Sequence, residues 1–202
     1  MAAPSLLDTN PIGLIVCPNF IDPETEKLLI AELDNEEYLW SEELSRRTKQ
    51  YLHKYDYKSR GSAPLQKILD PPPLIAALAQ HLIANNVIDK VDQILVNEYI
   101  GDQNIAARTD HPKFGPTIIS LSLGSACNMI FEKKDPTYEP ADPNLRKINL
   151  FVEPRDLIIM SGPSRSYYTH EIPKRKTATS YTGVRFDRGH RISITFRSIL
   201  RC

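Results

Sequence analysis

The sequence predicts a mostly β protein (α+β), either a β-sandwich or a jelly roll, whose helices lie near the N-terminus. Two observations point to this class. After residue 90 the chain holds eight short segments rich in Ile, Val, Tyr, Phe and Thr, and Gly, Pro and Asp separate them. The last segment, RISITFR (191–197), alternates between apolar and polar residues, which is typical of a strand with two unlike faces.

The first 90 residues carry the helix signals. The run GLIVCPNF (13–20) has strand character, and a helix is expected after it, with Asp22 as its cap and Pro23 at the first helical position. The apolar face of this helix is predicted to consist of Leu28, Leu29 and Leu33. The segment LIAALAQHLIAN (74–85) predicts a second helix.

The rest of the chain predicts strands. The eight expected strands cover residues 93–100, 117–124, 128–132, 148–152, 156–162, 166–172, 179–186 and 190–197. A surface loop rich in proline and aspartate is expected at 133–144.

Composition restricts the function classes. With 25 basic and 25 acidic residues the formal net charge is zero, so any surface that attracts nucleic acid must be local. Three cysteines without metal-site spacing argue against a disulfide framework. The chain shows neither a signal-peptide pattern nor an apolar run of membrane-spanning length. We therefore expect an intracellular protein, cytoplasmic, nuclear or both, with no membrane partner, and the lack of a heptad pattern favours a monomer.

Two sets of polar residues are candidates for ligand binding. The polar face of the last predicted strand combines two guanidiniums with two hydroxyls and would suit a carboxylate or a phosphate. Its residues are Arg191, Ser193, Thr195 and Arg197. Alternation is also typical of an edge strand with one solvated face. Asn97 and Tyr99 share a face in the same way, or are polar residues close to a turn.

The polar stretch NIAARTDHPKFGP (104–116) contains candidate metal ligands. Asp110 and His111 stand side by side in it, and a lone His170 follows in YYTHEIP. Asp and His are good ligands for iron or zinc. The sequence therefore raises the question of a metal site at this stretch.

Together these segments resemble the iron(II)/2-oxoglutarate dioxygenases of the AlkB family. NEYIGDQNIAARTDHPKFGPTIISLSLGSACNMIF is similar to the family's run of Asn-x-Tyr, a Gly turn, Ile, His-x-Asp, Phe-Gly-Pro and Ser-Leu-Gly-Ser. PRDLIIMSGPSRSYYTHEIP resembles the block that ends with the distal iron-binding His. RISITFR resembles the closing Arg-x-x-x-Thr-x-Arg strand, with Ser193 where Asn is common. RRTKQYLHKYDYKSR (46–60) is similar to the lid segment of many members.

The resemblance implies a double-stranded β-helix, a cupin-like jelly roll, in a single domain over residues 1–202. Residues 1–90 would form an N-terminal extension with helices and a nucleotide-recognition lid, and residues 91–202 the catalytic core. The implied cofactors are Fe(II), 2-oxoglutarate and O2. Asp110 and His170 would be iron ligands, and Arg191 would pair with the distal carboxylate of 2-oxoglutarate. The rest of the cosubstrate pocket would be Asn97, Tyr99, Ser193, Thr195 and Arg197.

At Arg108 the sequence departs from the family, which has its first iron-binding His at this catalytic position. Arginine stays protonated and offers no lone pair to a metal. Four explanations stand open: a deliberate change to an inactive form, a natural pseudoenzyme, a swing of His111 into the site, or weak iron binding through Asp110, His170 and water. Arg108 could also form a salt bridge with Asp110 and fill the site with its own charge.

On the substrate side the resemblance implies an N-alkylated base. Such a base reaches an enclosed centre only from a single strand or after flipping out of a duplex. Residues 46–60 combine six basic residues and three tyrosines with one acid, which fits single-strand binding or a solvated loop. The residues assigned to substrate binding are Arg47, Tyr51, Tyr55, Tyr57 and Arg165. A second basic cluster flanks the last strands: Lys174, Arg175, Lys176, Arg185 and Arg188.

The resemblance therefore implies oxidative dealkylation of alkylated single-stranded DNA or RNA, tRNA included. Two alternatives stay open. Arg108 favours a non-catalytic module that keeps its nucleic-acid affinity. The lid tyrosines could instead cage a methylammonium, as in a protein side-chain demethylase.

Overall fold

Two antiparallel sheets share an apolar core in the computed structural model, which describes residues 7–9, 13–34, 40–41, 44–55, 66–140 and 142–200. The strands are β1 (Leu7–Thr9), β2 (Leu14–Cys17), β3 (Thr48–Lys54), β4 (Gln66–Lys67), β5 (Gln93–Ile100), β6 (Ile105–Arg108), β7 (Phe114–Gly124), β8 (Cys127–Lys133), β9 (Lys147–Val152), β10 (Leu157–Met160), β11 (Tyr168–Ile172), β12 (Thr177–Thr179), β13 (Arg185–Asp187) and β14 (His190–Ile199). The helices are α1 (Pro23–Asp34), α2 (Pro73–Ala84) and the short α3 (Gly162–Ser166), with a 3-10 turn at Pro143–Arg146. This is the predicted jelly roll.

The larger sheet has the strand order β1-β2-β10-β7-β14-β5-β3-β4, and the smaller one β6-β11-β8-β9. The four strands from the first 90 residues all join the larger sheet, two at each edge. The hairpin of β12 and β13 pairs separately from both sheets. The N-terminal extension is therefore built into the same sheet as the strands that follow residue 90.

Both predicted helices are present. The Thr25 backbone N–H donates to Asp22 Oδ1 over 2.8 Å, which satisfies one of the free donors at the start of α1. Leu29 and Leu33 are fully buried, whereas Leu28 is 51% exposed, so the predicted apolar face was wrong at that position. Helices α1 and α2 cover the outer face of the larger sheet.

The alternation of β14 sorts its side chains between two cores. Ile192, Ile194 and Phe196 belong to the apolar cluster that includes residues of α1 and α2. The polar residues of the strand are buried on the opposite face, between the two sheets. Because β14 pairs with β5 on one side and β7 on the other, it is a central strand, which excludes the edge-strand alternative.

Other local predictions were wrong. Residues 179–186 do not form one strand: they span the turn between β12 and β13, where Gly183 has a φ of +82°. Residues 48–54 are not a lid but strand β3, which pairs with β5. Strand β6 was missed altogether. Cys17 and Cys127 are buried free thiols, and no helix in the described ranges is long and apolar enough to cross a membrane.

Candidate active site

A cavity of about 750 Å³ lies between the two sheets. The four polar residues of β14 line it, together with Asn97 and Tyr99 from β5. Asp110, His170 and Arg108 line the same cavity. The structure thus brings the residues predicted for cosubstrate and for iron into one place.

Arg191 is the buried cation at one end of this set, and it is only 3% exposed. Its Nε donates to Ser122 Oγ over 3.1 Å, and its guanidinium lies 5.3 Å from the centre of the Tyr99 ring. Its Nη1 is buried and has no hydrogen-bond partner among the described residues. An unpaired buried charged donor is costly, so this atom is placed to receive an anionic ligand.

Two further contacts lie among the residues that were predicted to bind 2-oxoglutarate. Arg46, 4% exposed, donates from Nε to Asn97 Oδ1 over 2.7 Å. The Ser193 and Ser120 hydroxyls lie 2.8 Å apart. Sequence reasoning missed Arg46 because 46–60 was assigned to a solvent-facing lid. It missed Ser120 although the alternation of TIISLSLG points it away from the apolar face that holds Ile119.

Asp110 and His170, the two predicted iron ligands, face each other in the same cavity. Asp110 Oδ2 lies 3.8 Å from His170 Nε2, and Asp110 Oδ1 lies 2.9 Å from an Nη atom of Arg197. Burial would raise the pKa of Asp110, but the charge of Arg197 and the other nearby cations outweigh it and lower that pKa. Burial lowers the pKa of His170 and outweighs the opposite pull of Asp110. An ionised carboxylate beside a neutral imidazole is the state in which both can bind a metal.

Arg108 occupies the position next to this pair. It lies directly opposite His170 in the pairing of β6 with β11, and opposing residues share one face of a sheet. Its charge acts on both Asp110 and His170. The expected salt bridge of Asp110 with Arg108 is not the one in the structure, where the carboxylate pairs with Arg197.

The residues present fit 2-oxoglutarate and do not complete an iron site. A 2-His-1-carboxylate centre needs three protein ligands. Among the described residues no three His, Cys, Asp or Glu side chains come together to hold a metal ion. The position that the family resemblance gives to the third ligand carries the cation Arg108 instead, and like charges repel.

His111 does not supply the missing ligand. Its Nδ1 accepts a hydrogen bond from the Lys113 backbone N–H over 3.1 Å, so this ring nitrogen already has a partner. Its ring packs against Tyr55, with 5.8 Å between ring centres, and Tyr55 also contacts Phe114. Tyr55 and His111 therefore form an aromatic wall of the cavity.

The other residues assigned to substrate lie apart from this wall. Arg47 forms a two-pronged ion pair with Glu98 and lies over the Trp40 ring, outside the cavity lining. Tyr51 is 1% exposed and belongs to the core against the helices, so it is not placed to meet a substrate. Tyr57 is outside the described residues.

Two arginines serve as internal supports. Arg165 donates to the backbone oxygens of Asp110 and His111, each over 3.0 Å, and so fixes the segment that carries Asp110. It lines a smaller neighbouring cavity rather than the main one. Arg188, expected in a basic cluster, is buried and donates to the backbone oxygens of Pro173, Arg175 and Gln103. The exposed members of that cluster are Lys174, Arg175, Lys176 and Arg185.

Comparison with known proteins places these features in context. Residues 13–197 match the sequence model of the 2OG-Fe(II) oxygenase superfamily. The chain is 31% identical over 194 residues to an uncharacterized protein of Acanthamoeba polyphaga mimivirus, covering 94% of this chain and 86% of that protein.

Two better-described relatives carry enzyme names. The mouse tRNA (carboxymethyluridine(34)-5-O)-methyltransferase ALKBH8 is 30% identical over 225 residues, 96% of this chain and 32% of the relative. The bovine DNA oxidative demethylase ALKBH2 is 26% identical over 111 residues, 53% of this chain and 37% of the relative. The chain thus spans about a third of each of these enzymes. The solved structure of OsALKBH1 superposes with a TM-score of 0.64 at 16% identity, covering 96% of this chain and all of that one, which shows a shared fold.

Proposed function

Because this chain belongs to the 2OG-Fe(II) oxygenase superfamily, whose AlkB-like members are dioxygenases that use Fe(II), 2-oxoglutarate and O2, we propose that its active site is built for oxidative dealkylation of N-alkylated bases in single-stranded DNA or RNA. We further propose that Arg108 suppresses this reaction in the chain as it stands. The observation that carries the proposal is the buried Arg191 Nη1, which has no hydrogen-bond partner within the described ranges, in the cavity that also holds Asp110 and His170.

The proposed binding of 2-oxoglutarate is supported by the charge and the hydrogen-bond donors of the cavity. Arg191 pairs with the distal carboxylate of 2-oxoglutarate, because a buried carboxylate needs a cation with matching N–H geometry. Tyr99 and Thr195 line the same cavity and offer hydroxyl groups to the rest of the molecule. Bound Fe(II) would supply the oxidative chemistry of the family, in which O2 and 2-oxoglutarate give succinate and CO2 and the N-alkyl group leaves as an aldehyde.

The substrate side rests on the aromatic wall and on nearby surface charge. A flipped base can lie against Tyr55 and His111, since stacking on aromatic rings holds bases of any sequence. The exposed basic run Lys174–Lys176 is separated from β11 by Pro173 alone, and Ile172 of that strand lines the cavity. Phosphates of a single strand can therefore be bound beside the cavity. The names of ALKBH8 and ALKBH2 support tRNA or DNA as the class of substrate.

A second candidate function is non-catalytic binding of nucleic acid, and Arg108 is the observation that favours it. With two metal ligands and a cation in the third position, the chain keeps a cosubstrate pocket and a base-binding wall without a complete iron site. The two functions differ in whether a histidine at position 108 restores turnover.

The test uses the chain and its Arg108→His variant, each with Fe(II), 2-oxoglutarate and O2. The substrates are single-stranded RNA and DNA oligonucleotides with one N-methylated base, and a methyl-lysine peptide of matched charge. Mass spectrometry should show demethylated oligonucleotide and released aldehyde with the variant, much less with the native chain, and an unchanged peptide. A variant that processes the peptide and neither oligonucleotide would overturn the proposed substrate class. If neither chain acts but both bind the oligonucleotide, the non-catalytic function is correct.

A further inference from the structure

The cavity carries more positive charge than its own acid can balance. Among the charged side chains that line it in the described part of the chain, the anionic one is Asp110. The cationic ones are Arg46, Arg108, Lys134, Arg191 and Arg197. Arg197 pairs with Asp110, and the partner of Arg46 is an uncharged amide, so these lining residues carry a net positive charge. A dianion therefore finds a cationic cavity even when no metal is bound.

Arg108 is the one of these cations that stands at the metal position. It lies opposite His170 across the β6–β11 pair, and it lines the same cavity as His170 and Asp110. Its Nε donates to the backbone oxygen of Ala106 over 3.2 Å, and the residue is part of the cavity lining.

We propose that Arg108 replaces the metal ion as the cation at the keto-acid end of 2-oxoglutarate, so that the cavity binds this cosubstrate without metal. The inference rests on the proposed function in one respect, that the ligand is 2-oxoglutarate. Arg191 holds the distal carboxylate, and Arg108 holds the carboxylate that a metal would otherwise chelate. A guanidinium suits this role because it is permanently charged and presents parallel N–H donors to a carboxylate.

The proposal is tested by calorimetric titration of the native chain with 2-oxoglutarate, once with EDTA and once with Mn(II), which is redox-stable under these conditions. The variants are Arg108→Gln, Arg108→His and, as a control for the loss of one arginine, Arg185→Gln at an exposed position outside the cavity. Thermal unfolding of each variant shows that it is folded.

In EDTA the native chain and the control should bind 2-oxoglutarate alike, and Mn(II) should leave the native dissociation constant unchanged. Arg108→Gln should bind about 10- to 100-fold more weakly in EDTA, the loss expected for one charge-assisted hydrogen bond. Arg108→His should bind 2-oxoglutarate tightly only when Mn(II) is present. Native binding that requires Mn(II), native binding that Arg108→Gln leaves intact, or no native binding at all would each overturn the inference.

The same titrations separate this inference from the proposed function because they contain no nucleic acid. Suppose that the native chain binds 2-oxoglutarate in EDTA but Arg108→His demethylates no oligonucleotide. The metal-free binding of 2-oxoglutarate is then supported, and the proposed substrate class is contradicted. If Arg108→His demethylates the oligonucleotide but the native chain needs Mn(II) to bind 2-oxoglutarate, the substrate class is supported and metal-free binding is contradicted.

Discussion

Replacing Arg191 with leucine should remove the binding of 2-oxoglutarate while leaving the ligand-free fold intact. In the native chain the Arg191 Nη1 is buried without a partner among the described residues, and its other contacts are one hydrogen bond to Ser122 and the face of Tyr99. The Nη1 donor is thus placed to bind an anionic ligand. Leucine removes the buried cation, and the Ser122 hydroxyl loses its hydrogen bond from Arg191.

The magnitude follows from the burial of the pair that would form. Removing one partner of a buried ion pair costs about 3–5 kcal/mol, and about 1.4 kcal/mol corresponds to a tenfold change in dissociation constant, so binding should weaken roughly 100- to 4,000-fold. Without ligand the effect should have the opposite sign or be near zero, because an apolar residue in place of a buried charge is often neutral or stabilising.

Thermal unfolding with and without 2-oxoglutarate measures both effects together. At a ligand concentration about 100 times the native dissociation constant, the native chain should gain about 2.7 kcal/mol of stability. Arg191→Leu should gain almost none, and Arg185→Leu, at an exposed site outside the cavity, should respond like the native chain. A variant at position 191 that 2-oxoglutarate still stabilises by the native amount would refute the assignment of Arg191 to the distal carboxylate.

Three further predictions concern the surroundings of the cavity. Replacing the three exposed basic residues at 174–176 by glutamine should flatten the dependence of log K on log salt for a single strand by about 2, at about 0.7 for each lost phosphate contact, and an unchanged slope would remove this run from the binding surface. Tyr51→Ala should lower the free energy of unfolding by about 3–5 kcal/mol in a denaturant titration, because Tyr51 is buried in the core. Tyr55→Ala should mainly weaken oligonucleotide binding, because Tyr55 lines the cavity. Equal effects of the two variants on stability and on binding would contradict this difference in placement. Burial lowers the pKa of Lys49 to about 8 from 10.5. The unfolded chain therefore binds more protons between these values, and the stability of the native chain relative to Lys49→Met should rise with pH across this window; a flat difference would contradict the shift.

The β core and much of the site follow from local sequence patterns. The alternation of β14 correctly separates the apolar face from the row that begins with Arg191 and ends with Arg197. The same period of two applies to Asn97 and Tyr99 on β5. These predictions held because side-chain direction in a strand depends on position alone, whatever the neighbouring strands are.

The contacts that depend on distant pairing were not predictable in this way. Strand β3 aligns Thr48 with Asn97, which brings Arg46 to the amide of that asparagine and turns Tyr51 into the core. A basic and aromatic composition is the same for a lid and for such a strand, so the local pattern could not separate them. The pairing of His170 with Arg108 likewise depends on strand β6, whose four residues were too short to recognise.

The most direct test of the central claim, an oxygenase site whose chemistry is held back by one arginine, is succinate release from 2-oxoglutarate by the native chain and by Arg108→His. Both are assayed side by side with Fe(II), O2 and an N-methylated single-stranded oligonucleotide. We expect turnover by the histidine form and little or none by the native chain. Equal turnover by the two chains would contradict the claim, because the metal would then be held without the ligand that position 108 is argued to lack.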